Sequence, residues 1–338
     1  MAEAPIRAGI VGCGKISEQH FKGYESFDGA QIVACCDIDE NAARAKAEAH
    51  GNPAVFTDYK AMFAEAGINT VSICSSSGTH HEIALAAAEA GFHMQVEKPM
   101  AQSLKQCDEM IAAAEKAGVV YAGIYQNRFN PNVNRVKYLV DKGALGTVRL
   151  VKVSALSPHA IDAMCWMVGL PKEVTAMWAE PKDIDFEEAG APLVTAFRFD
   201  SGAVGTLVNG GGLPEKGMFE GPGYTVSIVG DRMSATVQLF SPHFMLMSSE
   251  EGLVEKTMAE LEPMFAEPDY GKGHYFATHD FCRAILEKRD PMVTGGQQRM
   301  GIEMMTACFK AGLTEQTVTL PIEASDPYYS NPQRTMPN

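Results

Sequence analysis

GIVGCGKIS, residues 9–17, decides the reading of the fold, because an apolar strand runs into G-x-G-x-x-S and then into a helical stretch. Gly12 allows the tight turn. Gly14, with no Cβ, lets a pyrophosphate come up to the backbone N–H groups where the helix starts. Ser17 stands where a third glycine is usual and is small enough to keep helix and strand close. Glycine turns after strands are common, so the pattern counts only through its context, and here strand and helix flank it on the correct sides.

Working outward, the first 125 or so residues alternate β-rich runs (QIVACCD, TVSIC, HMQVE, VVYAGIY) with helical segments such as NAARAKAEAH and EIALAAAEAG. That alternation predicts a doubly wound parallel sheet covered on both faces, an α/β Rossmann domain over 1–125. Asp58 is placed to cap a helix running towards Gly67, and Ser103 one that stops at Gly118. After residue 126 the texture changes. TVRLVKVSA, EVTAMWAE, PLVTAFRFD, AVGTLVNG, YTVSIVG and ATVQLF crowd together with Gly and Pro between them, which predicts an α+β domain over 126–338 with an open, largely antiparallel sheet. Two late helices, about 275–288 and 297–313, are expected to pack on one face of it, and the closing ASDPYYSNPQRTMPN reads as a surface extension.

A length of 338 residues exceeds what one core usually fills, in agreement with two domains. The 28 basic and 42 acidic residues give a formal charge of -14, which repels polyphosphate and anionic lipid and argues against nucleic-acid or membrane partners. No leader pattern or membrane-length apolar run is present, so the cytoplasm is the expected location. Eight cysteines without ligand spacing read as buried hydrophobes in a reducing compartment, and no metal is expected.

Asp37 ends the second strand, where a carboxylate accepts hydrogen bonds from adenosine ribose hydroxyls and opposes a 2′-phosphate. Ile38 follows it rather than an arginine, which favours NAD over NADP. HMQVEKPM, residues 93–100, places Glu97 and Lys98 at the carboxyl end of a further strand, the edge where open α/β sheets bind ligands. Pro99 biases Lys98 towards an extended backbone and admits a cis bond. An amine in a partly dry cleft beside a cationic nicotinamide ring gives up its proton more readily, which makes Lys98 a candidate general base.

The order G-x-G-x-x-S, SSSGTHHEIA, VEKP, NRFNP with VKYLVDKGALGTVRLV, and PHAIDAMCWMVGLPKEVTA resembles the Gfo/Idh/MocA oxidoreductases, which act on sugars, inositols and related polyols. FATHDFCRAILEKRDP and LTEQTVTLP are similar to the closing elements of that family. The resemblance implies that Lys98 is the central catalytic residue, and that Gly12, Gly14, Lys15, Ile16, Asp37, Ser75, Ser76, Ser77, His80, Glu97 and Lys98 line the cofactor. His80 could equally cap or pack its helix. His159 would be a second acid/base or substrate-orienting group with Asp162 one turn on, and Tyr125, Asn127 and Arg128 would lie on the substrate side; a helix-terminus role for His159 and a bridging role for Arg128 stay open. A homodimer or homotetramer through the second-domain sheet is implied as well.

The pattern breaks at Ala155. Many relatives carry an aspartate four residues before this histidine, after a longer loop; here TVRLVKVSA runs almost directly into SPHAID. VNGGGLPEKG, residues 208–217, lacks a following G-K-[S/T] and reads as a turn over the cleft. His274 and His279 are five apart and are expected on different helix faces, not together on a metal. The leading expectation is an NAD(P)-dependent oxidoreductase of a sugar, inositol or similar polyol. The alternatives are a non-catalytic NAD-bound sensor, for which Ala155 and the short loop argue, and a glycosidase that uses bound NAD for transient oxidation.

Overall fold

The computed structural model describes residues 5–179, 193–209, 224–241, 244–248, 252–256 and 273–331. The chain divides into two units, residues 1–126 with 273–299 and residues 127–272 with 300–338.

In the first unit, β1 (Ile6–Val11), β2 (Ala30–Cys36), β3 (Ala54–Phe56), β4 (Thr70–Ile73), β5 (His93–Val96) and β6 (Tyr121–Gly123) form a sheet in the order β3-β2-β1-β4-β5-β6, parallel throughout. The strand order reverses between β1 and β4, which makes the carboxyl ends of those two strands the crevice where such sheets bind ligands. β4 and β5 are nearly all buried, the signature of strands covered on both faces. The intervening helices are α1 (Ser17–Glu25), α2 (Glu40–Ala49), α3 (Tyr59–Glu65), α4 (Ser77–Glu89) and α5 (Leu104–Ala117). Asp58 and Ser103 cap α3 and α5 as expected: Asp58 accepts from the N–H of Lys60, and Ser103 from that of Gln106.

The second unit holds α6 (Pro131–Asp141), β7 (Val148–Ser154), α7 (Pro158–Val168), β8 (Glu173–Trp178), β9 (Leu193–Arg198), β10 (Val204–Asn209), β11 (Thr225–Gly230), β12 (Met233–Gln238), β13 (Phe244–Ser248) and β14 (Gly252–Lys256). The described strands, with the later β15 (Val318–Thr319), are ordered β14-β13-β12-β11-β7-β10-β9-β8-β15. β7 runs parallel to β10, and the other neighbours are antiparallel. Strict in–out alternation in β8 and β9 gives one buried face, while α6 packs on β12 and α7 on β7 and β11.

One late helix corrects the sequence reading. α8 (Gly273–Glu287) packs on α1 of the first unit, not on the second sheet. Gly23 lies so close to Thr278 that a Cβ there would meet its side chain at 2.8 Å, and His279 Nε2 lies 2.9 Å from Ser26 Oγ. α9 (Gly295–Thr314) behaves as expected over its later turns. Phe309 stacks on Trp178 of β8 with ring centroids 5.3 Å apart, and a Cβ on Gly312 would sit 1.4 Å from the indole nitrogen. The glycine triplet of 208–217 lies outside the described residues beyond Asn209, as do residues 332–338.

Candidate active site

The first turn is built as its sequence requires. Gly12 has φ +92°, and a Cβ there would lie 2.5 Å from the Ser75 nitrogen, so the turn rests directly on the end of β4. A Cβ on Gly14 would meet nothing within 4 Å, which leaves open space above the start of α1. Ser17 is buried and donates its hydroxyl to the Gly14 carbonyl (2.7 Å), a bond the usual glycine could not make. Asp37 fastens the turn to β2: one carboxylate oxygen accepts from the Cys13 N–H (2.7 Å) and the other from the Asp39 N–H (2.9 Å).

A cavity of about 630 Å³ opens at this edge. Gly12 and Gly14, Asp37 and Ile38, residues 57–59, and Ser75, Ser76 and Thr79 line it, all just past the ends of β1 to β4. Residues 57–59 were missed by the sequence reading; FTDYK after the short strand AVF would have flagged them by the same strand-end rule. α1 and α4 begin on this cavity, and neither Ile16 nor Ser76 makes a side-chain cap bond, whereas Asp39 and Ser103 cap α2 and α5 with their own side chains. Helix starts that lack a side-chain cap and open on a cavity suit an anion such as a pyrophosphate. At the far end, Asp37 and Asp58 present two carboxylates, which suits ribose hydroxyls and opposes a 2′-phosphate. The residues present therefore fit NAD.

Lys15 is exposed on the turn and Ile16 is half-buried. Ser75 accepts from the Thr79 hydroxyl (2.8 Å). His80 lies deeper: it is 1% exposed, with its ring nitrogens 3.0 Å from the carbonyls of Ser75 and Pro99. Its ring ties the β4 and β5 ends together and takes the packing alternative.

Lys98 follows β5, half-buried, with a cis bond to Pro99. Its N–H donates to Glu97 Oε2 (3.0 Å). Glu97 is 3% exposed, and its Oε1 lies 3.1 Å from His20 Nε2 and 3.9 Å from His274 Nε2. Burial alone would raise the Glu97 carboxyl; the bond and charge of His20, the nearby His274 and the Lys98 amide together hold it below the usual carboxylate range. The side chain thus turns inward to histidines, not outward to a cofactor. Neither histidine was assigned a role from the sequence, because 77 and 177 residues separate them from Glu97 and no local pattern links them. Gln298 closes the same wall, donating to the carbonyls of Val96 (3.1 Å) and Glu97 (3.4 Å) and accepting from the Tyr121 hydroxyl (3.0 Å). Tyr125 is 1% exposed and its hydroxyl bonds the Gln298 carbonyl, so it is a core residue here.

In the second unit, Ser157 caps α7 by accepting from the His159 N–H (3.3 Å), with Pro158 in the first turn. The His159 ring is half-buried and meets Phe240 edge-on with centroids 5.1 Å apart; Phe240, 45% exposed, in turn meets Tyr224 at 5.5 Å. Three residues join β7 to α7, the short connection read from the sequence, and Ala155 among them has φ +74°. Arg128 and Asp162 are spent on each other. Each is 2% exposed; Arg128 Nη2 lies 2.6 Å from Asp162 Oδ1, Nε is 3.1 Å from both oxygens, and the guanidinium lies over Trp166 at 5.2 Å. Burial pushes the Asp162 carboxyl up, and Arg128 only partly offsets it. The pair lies within the second unit, where it braces α7. Asn127 is different: Oδ1 accepts from Asn130 (2.9 Å), while the buried Nδ2 has no hydrogen-bond partner.

Among the described residues no group of three His, Cys, Asp or Glu side chains is placed to hold a metal, and no helix is long and apolar enough to cross a membrane. All eight cysteines are buried, and none forms a disulfide.

Residues 6–125 match the profile of an oxidoreductase family with an NAD-binding Rossmann fold, and residues 150–320 match the C-terminal alpha/beta domain of the same family. A myo-inositol 2-dehydrogenase from Thermotoga maritima is 27% identical over 60% of this chain and 68% of its own length. A D-glucoside 3-dehydrogenase from Escherichia coli is 34% identical over 52% of this chain and 49% of its own length. Levoglucosan dehydrogenase in complex with NADH and levoglucosan superposes with a TM-score of 0.81 at 21% identity, covering 94% of this chain and 100% of that one, which shows a shared fold.

Proposed function

The chain belongs to the Gfo/Idh/MocA oxidoreductases, NAD-binding through its Rossmann domain, and we propose that it is a dehydrogenase or reductase of a sugar, an inositol or a similar polyol. The observation that carries the reading is Lys98. Its backbone is fixed by a buried carboxylate at the end of β5, in the same unit as the cavity that fits NAD. Bound NAD supplies the two-electron acceptor; Gly12, Gly14 and the start of α1 would hold its pyrophosphate and Asp37 its ribose. Lys98 takes the substrate hydroxyl proton in oxidation and returns it in reduction. The inositol- and glucoside-acting relatives support this substrate class.

The test is NADH formation by purified protein with NAD and a panel of sugars and inositols, repeated with Lys98→Met. Stoichiometric NADH that disappears in the variant supports the reading; NAD binding without turnover of any alcohol or ketone in the panel overturns it. The second reading is an NAD-bound sensor. Ala155 and the three-residue connection favour it, since the aspartate that many relatives carry at this position is absent.

The exposed face of the second sheet sets Met177, Val194 and Val208 side by side in register, 72%, 46% and 37% exposed. We propose a second copy of this chain as its cover, to give a dimer or tetramer. Light scattering of wild type and of Met177→Lys/Val194→Lys tests it: a monomeric wild type overturns the assignment.

A further inference from the structure

The first unit buries an acid–base cluster that cofactor binding does not use. Glu97 ends β5; His20 reaches it from α1, and His274 from the first turn of α8. His20 Nδ1 lies 3.2 Å from Ser72 Oγ, which is 3.0 Å from the Tyr24 hydroxyl. The titratable and charged groups around the carboxylate are thus His20 and Tyr24 from α1, Cys74 from the end of β4, His274 from α8 and Lys98 from the chain itself.

Their charges follow from the packing. Burial works against an imidazolium at His20, but the facing Cys74 and Glu97 raise the group above the ordinary histidine value, and Glu97 Oε1 lies 3.1 Å from its Nε2. Cys74 is itself kept protonated by burial, so near neutral pH Glu97 is the counter-charge that remains. The Tyr24 hydroxyl is likewise pushed up by burial and stays neutral. His274 goes the other way: burial takes it down to about 4, against the pull of Glu97, and its Nε2 has no hydrogen-bond partner. The result is one cation, one anion and one neutral ring behind the lysine.

We infer that His20 is a positioning residue for Lys98: it neutralises the buried carboxylate that fixes the lysine backbone, so that the amine meets a paired ion and not a bare anion. The inference rests on reading Lys98 as the base. A bare anion beside an ammonium favours the charged form, which cannot accept a proton. Two substitutions at the same contact therefore act differently. His20→Gln leaves the Glu97 charge uncompensated. Glu97→Gln removes the anion, and a buried His20 without its acid reverts to the neutral ring, so little net charge changes.

The test reads Lys98 without requiring turnover. Lysines of the full chain with saturating NAD are labelled at fixed pH with a trace of acetic anhydride, and the Lys98 peptide is quantified by mass spectrometry against Lys116, exposed on α5 and outside the cofactor cavity. The labelling rate follows the fraction of unprotonated amine. Expected is a roughly tenfold slower Lys98 label in His20→Gln, the size of one uncompensated charge at close range, and a return to within about twofold of wild type in His20→Gln/Glu97→Gln. Equal labelling in wild type and His20→Gln, or equal slowing in the single and double variants, overturns the inference. Should the variants not fold, imidazole ¹⁵N shifts of wild-type protein decide: a His20 ring protonated on both nitrogens through pH 8 supports the inference, and a neutral ring at pH 7 ends it. If the labelling pattern appears while the wild type turns over no alcohol or ketone of the sugar and inositol panel, the functional reading fails and the electrostatic one stands.

Discussion

Glu97 with His20 and Asp162 with Arg128 are both buried acid–base pairs, one in each unit, yet only one of them reaches the proposed base, Lys98. The Asp162 carboxylate is occupied on both oxygens by one guanidinium, and the pair closes on itself against Trp166. Glu97 gives one oxygen to His20 and the other to the backbone of Lys98. The acidities part accordingly, with Asp162 raised and Glu97 lowered. A carboxylate that keeps one oxygen for a neighbouring N–H can pass its charge state on; one that is fully enclosed acts only as a brace.

The sharpest way to break this contrast is Lys98→Met. Turnover is expected to fall by about 10³-fold or more while NAD affinity, read by fluorescence titration, stays within about threefold. Asp162→Ala should do the reverse and strike folding first: an unpaired buried guanidinium costs about 3–5 kcal/mol, measurable by urea unfolding, and Arg128→Met/Asp162→Leu should recover most of it. Equal stability of Asp162→Ala and wild type would place that pair in the site after all.

A smaller effect sharpens the Glu97 side. The folded His274 ring titrates at about 4, below the ordinary histidine value, so as pH falls through 6 the unfolded chain takes up the proton first. Stability from this group is present at neutral pH and is lost between about pH 6.5 and 4, on the order of 2 kcal/mol, and the loss should be absent in His274→Asn when thermal unfolding is compared across that range. The smallest change concerns the cavity. Asp37→Ser is expected to weaken NAD binding about tenfold and to narrow its preference over NADP, as read by paired titrations.

What was legible in the sequence was local. The turn at Gly12, the caps at Asp58 and Ser103, and Lys98 at a strand end all depend on residues a few positions apart, and the parallel order of the first sheet follows from alternation alone. Illegible was whatever depends on a distant partner. α8 is amphipathic whichever surface it covers, and Gly23 against Thr278 and Ser26 against His279 reveal that it lies on α1. H-x-x-D reads as a site motif, and nothing nearby announces that its aspartate is claimed by an arginine 34 residues earlier. His20 and His274 escaped notice for the same reason.

Ala155 adopts a left-handed backbone, at φ +74°, which strains an alanine by roughly 1 kcal/mol and is taken up more readily by glycine, asparagine or aspartate. An engineered Ala155→Asp would thus enter a peptide already bent to receive it. At 3% exposure the hurdle for a new acid is dehydration of its charge, not the path of the main chain.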